Sequence, residues 1–253
     1  MGKLKAFVGL HGKQDNLLVQ KEKLKYLLLR IFGKSSFMGN GLNKAVVVKT
    51  PHGLFCCRKN KNDLHIISPH YEFEEMEIFK DLLKHSQVVF DVGSHIGKYS
   101  IMSAKLNPGA EVYAFEASKD NFEILSKNKK VNQLKNLYVM NKALSDKVGK
   151  EKFYVSQTGL MTKESDQFRF VETETIDNFL QKNKIEQIDL IKIDVDGNEL
   201  KILKGAKKSL AKGKIKNIII EIDGKNESHI RSLFSKLGYS VKQILDNNYL
   251  VTK

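Results

Sequence analysis

VVFDVGSHIGKYSIMSAKLNPGAEVYAFEAS, residues 88–118, holds an apolar strand, a loop with two glycines, a helix and a second strand ending in Glu116. The two strands are short and rich in β-branched and aromatic residues, and the segment between them follows the helical period. Working outward, the alternation continues. Further strands are expected at 136–141, 188–194 and 217–222, with helices near 98–106, 120–132, 174–183 and 198–211. Strands this apolar, separated by helices, predict a parallel sheet covered on both faces. After residue 223 comes one more helix, then a hairpin expected to turn at Asn247-Asn248. Residues 147–171 interrupt the alternation and read as a short added hairpin. The expected fold class is α/β: a doubly wound, mostly parallel, seven-stranded Rossmann-like sheet closing with an antiparallel pair.

The first 85 residues read as an extension, and 86–253 as the main domain. Residues 16–33 set six leucine and isoleucine side chains at helical spacing, with lysines opposite. Such a helix packs its apolar stripe on its own protein or lies on an anionic membrane; packing is the expectation, peripheral membrane contact the alternative. Residues 44–67 predict two or three antiparallel strands joined at 51–53 and 60–63, and Ser68-Pro69 opens a helix.

Composition excludes several classes. No run among the 253 residues approaches the ~20 apolar positions of a membrane span. The first ten residues lack a secretory signal's apolar segment and cleavage site, so a cytoplasmic location is expected. Cys56 and Cys57 are adjacent and have no second pair, which excludes a zinc knuckle. The net charge is +14, yet only four of the 43 basic residues are arginine. Nucleic-acid sites lean on arginine for bidentate contacts. Codon bias toward lysine therefore explains the charge better than a nucleic-acid surface does.

Ligands of an open α/β sheet bind beyond the carboxyl ends of the strands. There the chain carries Gly93 and Gly97. The dinucleotide fingerprint needs a glycine where His95 stands, and a P-loop needs Ser or Thr where Tyr99 stands. With neither phosphate cradle spelled out, a smaller group without phosphates fits. Asp91 ends the first strand, and Glu116 ends the second, 19 residues after Gly97. A carboxylate in that place takes both hydroxyls of an unphosphorylated ribose. A nucleoside with an amino-acid tail, S-adenosylmethionine, satisfies both features.

The segments VVFDVGSHIGKYS, VYAFEAS, NKALSD, ETIDNFL and IDLIKIDVDGNELKILKGA resemble the FkbM-type methyltransferases, a branch of the class I S-adenosylmethionine-dependent superfamily, over roughly residues 86–223. The family pattern usually has Asn at His95 and Glu at Asp196. The resemblance implies methylation of a hydroxyl, often on a sugar, glycolipid or polyketide product. It implies that Asp91, Gly93, Ser94, His95 and Gly97 line the methionine end and that Glu116 takes the ribose. Ala117 and Ser118 would lie near the adenine, with Asn141, Ala143 and Leu144 facing its ring.

The acceptor should meet the methyl at the end of the fourth strand, where KIDVDGNE supplies Lys192, Asp194, Asp196 and Glu199; the fifth strand adds Glu221 and Asp223. Three readings stay open. Asp194, Glu221 and Asp223 hold Mg²⁺ or another hard divalent ion, for which oxygen ligands are suited. Alternatively Asp194 or a neighbour acts alone as base, or some of these acids cap helices, Asp196 at the helix near 198. Lys192, inside a central strand, needs a partner. Tyr71 and Glu72 are candidates to close over the cofactor. Two rival functions remain. One is an RNA ribose 2′-O-methyltransferase, for which Lys225 is the supporting residue. The other is a non-catalytic nucleoside-binding module with a basic membrane- or RNA-facing surface, which would not need convergent acids. The N-P-P-Y type motif of adenine amino-methylating enzymes is absent.

Overall fold

A computed structural model describes residues 45–69, 71–155, 160–161, 167–222 and 224–253. The amphipathic segment 16–33 lies outside them. The chain opens with β1 (Val46–Thr50), β2 (Gly53–Cys57), α1 (Asp63–Ile66) and α2 (Phe73–Leu83). The alternating region follows: β3 (Val88–Val92), α3 (Lys98–Leu106), β4 (Glu111–Phe115), α4 (Lys119–Val131) and β5 (Leu137–Met140). An inserted group comes next, β6 (Ala143–Leu144), β7 (Gly149–Val155), β8 (Leu160–Met161) and β9 (Phe168–Glu174). The chain ends with α5 (Ile176–Asn183), β10 (Ile188–Ile193), α6 (Glu199–Gly205), α7 (Lys207–Ala211), β11 (Ile215–Glu221), α8 (Glu227–Lys236), β12 (Ser240–Leu245) and β13 (Asn248–Thr252).

Seven strands form the central sheet in the order β12-β13-β11-β10-β3-β4-β5. The five inner and following strands pair in parallel, and β13 runs antiparallel to both β11 and β12. The expected mostly parallel sheet with a closing hairpin is what forms. Its two faces follow from strand periodicity. Val89 and Leu190 join a core with Phe55, Phe79, Ile101 and Leu125. Their chain neighbours Phe90 and Ile191 point the other way, into a core with Ile202, Ile218 and Phe234. The β1–β2 hairpin and α2 thus help cover the first face. Among the described residues, no helix is long and apolar enough to cross a membrane.

Five local expectations are corrected. Residues 64–67 form no third strand: α1 starts at Asp63, whose buried carboxylate takes the Arg58 guanidinium at 2.8 Å and the Arg58 N–H at 2.7 Å. The helix after Pro69 starts only at Phe73, because Glu72 adopts a left-handed conformation, φ +54°. The helix expected over 198–211 is two, α6 and α7, broken around Ala206. Gly205 presses so close to the segment after β6 that a Cβ there would lie 2.0 Å from the Ser145 carbonyl oxygen. The last hairpin turns one residue earlier, through Asp246 with φ +46°, and Asn248 already belongs to β13. The insertion is larger than a hairpin: β6-β9-β7-β8 is a separate four-stranded sheet.

Candidate active site at the carboxyl ends of the strands

After β3 the chain turns through residues 93–97 into α3. Gly93 has φ +82°, and a Cβ there would fall 1.8 Å from the Asp194 carbonyl oxygen. Glycine alone permits this approach to the end of β10. The Gly93 and Ser94 N–H groups donate to the Phe115 carbonyl at 3.0 and 3.1 Å, tying the loop to the end of β4. Asp91 is buried and accepts a hydrogen bond from the Ser100 hydroxyl of α3. Its burial pushes the carboxyl up to about 6.

Glu116 follows β4 and is buried beside the same loop. Its two oxygens accept one N–H each, from His95 and Ser118, both at 2.7 Å. Burial nevertheless pushes its carboxyl up to about 7, against the pull of those two N–H groups and the Asn121 side chain. These three donors fix the side chain in place and leave it some acceptor capacity beside the loop.

At the ends of β10 and β11 the charges interlock. Lys192 is 2% exposed and sits on the same sheet face as Leu190. Its Nζ lies 2.7 Å from Asp194 Oδ2 and 3.1 Å from Glu75 Oε1 of α2, and 4.7 Å over the Tyr99 ring. The Tyr99 hydroxyl donates to Glu75 at 2.8 Å. Burial works against the Asp194 carboxylate, but the Lys192 charge and hydrogen bond outweigh it and hold the carboxyl below its ordinary range. Glu221 hydrogen-bonds Asp194; burial first, then the Asp194 charge, push Glu221 up to about 8. The pair thus holds one ionised carboxylate and one protonated neighbour at neutral pH.

These groups line one cleft of about 290 Å³, at the small end of the usual range for small-molecule sites, about 300–1,000 Å³. Asp91, Gly93, Ser94 and His95 border it, as do Glu116 and Ala117, and Ala143 and Leu144. Lys192, Asp194, Asp196 and Glu221 line it at the ends of β10 and β11, and Tyr71 and Glu72 line it as well. Four expected site residues lie elsewhere. Gly97 starts α3 with φ +91°, and a Cβ there would strike Leu125 at 2.3 Å. Ser118 stands at the N-cap position of α4. Asn141 donates its side-chain amide to the Glu116 carbonyl at 2.8 Å and braces that segment. Glu199 is buried in the first turn of α6 and accepts the Gly197 N–H at 3.0 Å. The helix there is capped at Asn198, not by Asp196.

Sequence reading missed Glu75, Lys98, Tyr99, Lys142 and Phe153. Glu75 had a signal: it lies on the buried stripe of α2, with Met76 and Phe79. Phe153 had none, since its strand belongs to the unforeseen sheet. It packs with Ala143 and Val171 beside Ala117.

No group of three or more His, Cys, Asp or Glu among the described residues is arranged to hold a metal. Asp223 lies outside them. The Lys192 ammonium already occupies Asp194 Oδ2, so that oxygen does not fit a divalent ion as well.

A mostly parallel sheet with a buried carboxylate beyond β4 and an acid cluster beyond β10 is the arrangement of a Rossmann-like S-adenosylmethionine-dependent methyltransferase. The chain belongs to the FkbM methyltransferase family, whose domain model, "Methyltransferase FkbM domain", matches residues 91–241. It is 26% identical over 176 residues to the hexuronic acid methyltransferase AglP of Haloferax volcanii, covering 66% of this chain and 71% of that one. It is also 26% identical over 192 residues to the methyltransferase sdnD of Sordaria araneosa, covering 59% and 74%. Among solved structures, the SAM-dependent methyltransferase of Agrobacterium tumefaciens aligns with a TM-score of 0.49 at 11% identity, over 84% of this chain and 70% of that one. The donor set fits the cofactor: carboxylates outnumber free cations in the cleft, which suits a ligand carrying a sulfonium and an ammonium.

Proposed function

We propose that the protein transfers a methyl group to a hydroxyl of a sugar, a glycolipid headgroup or a similar small metabolite. The carrying observation is Asp194, held ionised by Lys192 at 2.7 Å beside the Gly93 loop, with its hydrogen-bonded neighbour Glu221. The likeness to a hexuronic acid methyltransferase supports a sugar-type acceptor.

In this reading Glu116 accepts both ribose hydroxyls, the loop from Gly93 to His95 surrounds the methionine end, and Ala143, Leu144 and Phe153 wall the adenine. Bound S-adenosylmethionine supplies a methyl already activated on a sulfonium. The chain therefore has to align the acceptor oxygen and manage its proton. Asp194 accepts the hydroxyl proton as the oxygen attacks the methyl carbon, and the carbon–sulfur bond breaks with its electron pair going to sulfur. Asp196 and Glu72 border the acceptor side of the cleft.

The test is release of S-adenosylhomocysteine with a panel of neutral glycosides and hexuronic acids, with and without Mg²⁺. Asp194→Asn is expected to lower kcat at least about a hundredfold while S-adenosylmethionine still binds. Unchanged turnover in Asp194→Asn would remove its role as base.

A further inference from the structure

Helix α2 precedes the matched domain, yet it sends an acid into the methyl-transfer site. Glu75 is 1% exposed. Its Oε1 takes Lys192 Nζ at 3.1 Å and the Tyr99 hydroxyl at 2.8 Å. Its Oε2 is buried and has no hydrogen-bond partner among the described residues. A buried carboxylate this poorly solvated is costly unless a charge compensates it. Lys192 is that charge.

We propose that Glu75 is a positioning residue of the methyl-transfer site: it takes up the charge of Lys192, leaving Asp194 net negative toward the cleft. The inference rests on the reading that Asp194 faces the transferred methyl.

The charge count carries it. Lys192 is bound by two carboxylates, Asp194 at 2.7 Å and Glu75 at 3.1 Å. The trio therefore keeps one negative charge. Asp194 is the member in contact with solvent, its side chain 37% exposed against 1% for Glu75. Hence the surplus is presented at the cleft. Without Glu75, the Lys192–Asp194 pair is neutral and the cleft's preference for a cation weakens. The other groups facing Glu75 do not replace it. Tyr99 contributes a neutral hydroxyl, and Glu72 bonds the same hydroxyl at 3.2 Å. The Lys98 ammonium bonds the Tyr71 carbonyl at 2.5 Å. A negative surplus at this point favours the sulfonium over the neutral thioether product, and so promotes release of S-adenosylhomocysteine.

Two ligands isolate the effect, and neither requires the acceptor. S-Adenosylhomocysteine has a neutral thioether. Sinefungin carries an ammonium where the methylsulfonium would stand. Calorimetric titration of the full chain should give tighter binding of sinefungin. Glu75→Gln should lose roughly tenfold of that preference, the size of one buried unit charge at a moderate effective dielectric, with S-adenosylhomocysteine affinity changed less than about twofold. A residue that only supports the fold would weaken both ligands alike. Glu75→Gln/Lys192→Met removes both charges, leaves Asp194 negative and should return the preference to the wild-type value. Should Glu75→Gln not fold, the double variant is compared with the wild type, and a preference for sinefungin several-fold stronger in the double variant overturns the role of Glu75, because Lys192 was then not neutralised by it. An unchanged preference in Glu75→Gln overturns it as well. A wild type that binds both ligands equally overturns the placement of Asp194 at the methyl itself, and the proposal with it.

Discussion

Glu116 shows how one side chain is fixed by its surroundings. Two backbone N–H groups at 2.7 Å hold its oxygens, while burial lifts the carboxyl to about 7. Because this folded-state value lies above the ordinary one, the stability Glu116 contributes is complete below about pH 4.5 and is lost as pH rises through about 7. Ligand binding runs the other way. Ribose hydroxyls donate to the ionised form, so S-adenosylmethionine affinity should rise roughly tenfold between about pH 6 and about pH 8 and then level off. Calorimetry at several pH values checks this, and Glu116→Gln should flatten the dependence. At this scale Asp91, Gly93 and Glu116 were legible because strand, loop, helix and strand lie in one unbroken stretch. The contacts that fix Glu75 and Asn141 were not. They are made with Lys192 and with the carbonyl of Glu116, and sequence periodicity carries no such pairing.

Among the elements, α2 links the N-terminal segment to the site. Phe79, one turn beyond Glu75, is fully buried and meets the Tyr99 ring edge-on at a centroid distance of 4.9 Å. Tyr99 in turn lies under Lys192. Phe79→Ala should cost about 3–5 kcal/mol in urea unfolding, more than an exposed helix position would. It should also weaken S-adenosylmethionine binding, because the cavity loosens Tyr99. A loss below about 1 kcal/mol would mean that α2 does not belong to the same cooperative core. The helix was readable from its period. The break between α6 and α7 was not, since it follows from the contact of Gly205 with Ser145. The strand expected at 64–67 failed because the buried pairing of Arg58 with Asp63 overrides a weak alternation.

For the whole molecule, the mostly parallel sheet was legible because each central strand is apolar on both faces. Val89 and Phe90 feed opposite cores, as do Leu190 and Ile191. The four-stranded sheet was not legible: β6 and β8 have two residues each, too few for any period. The net charge of +14 is carried mainly by lysine, while the cleft itself gathers acids. That contrast sets the surface apart from the site and favours a cationic cofactor within it. The most direct test of this view is calorimetric titration of the full chain with S-adenosylmethionine, for the wild type and for Glu116→Ala. The predicted result is one site of micromolar affinity in the wild type, weakened at least about thirtyfold (~2 kcal/mol) in a folded Glu116→Ala. Equal affinity in the two proteins, or no binding by a folded wild type, would contradict the assignment of this cleft as the cofactor site.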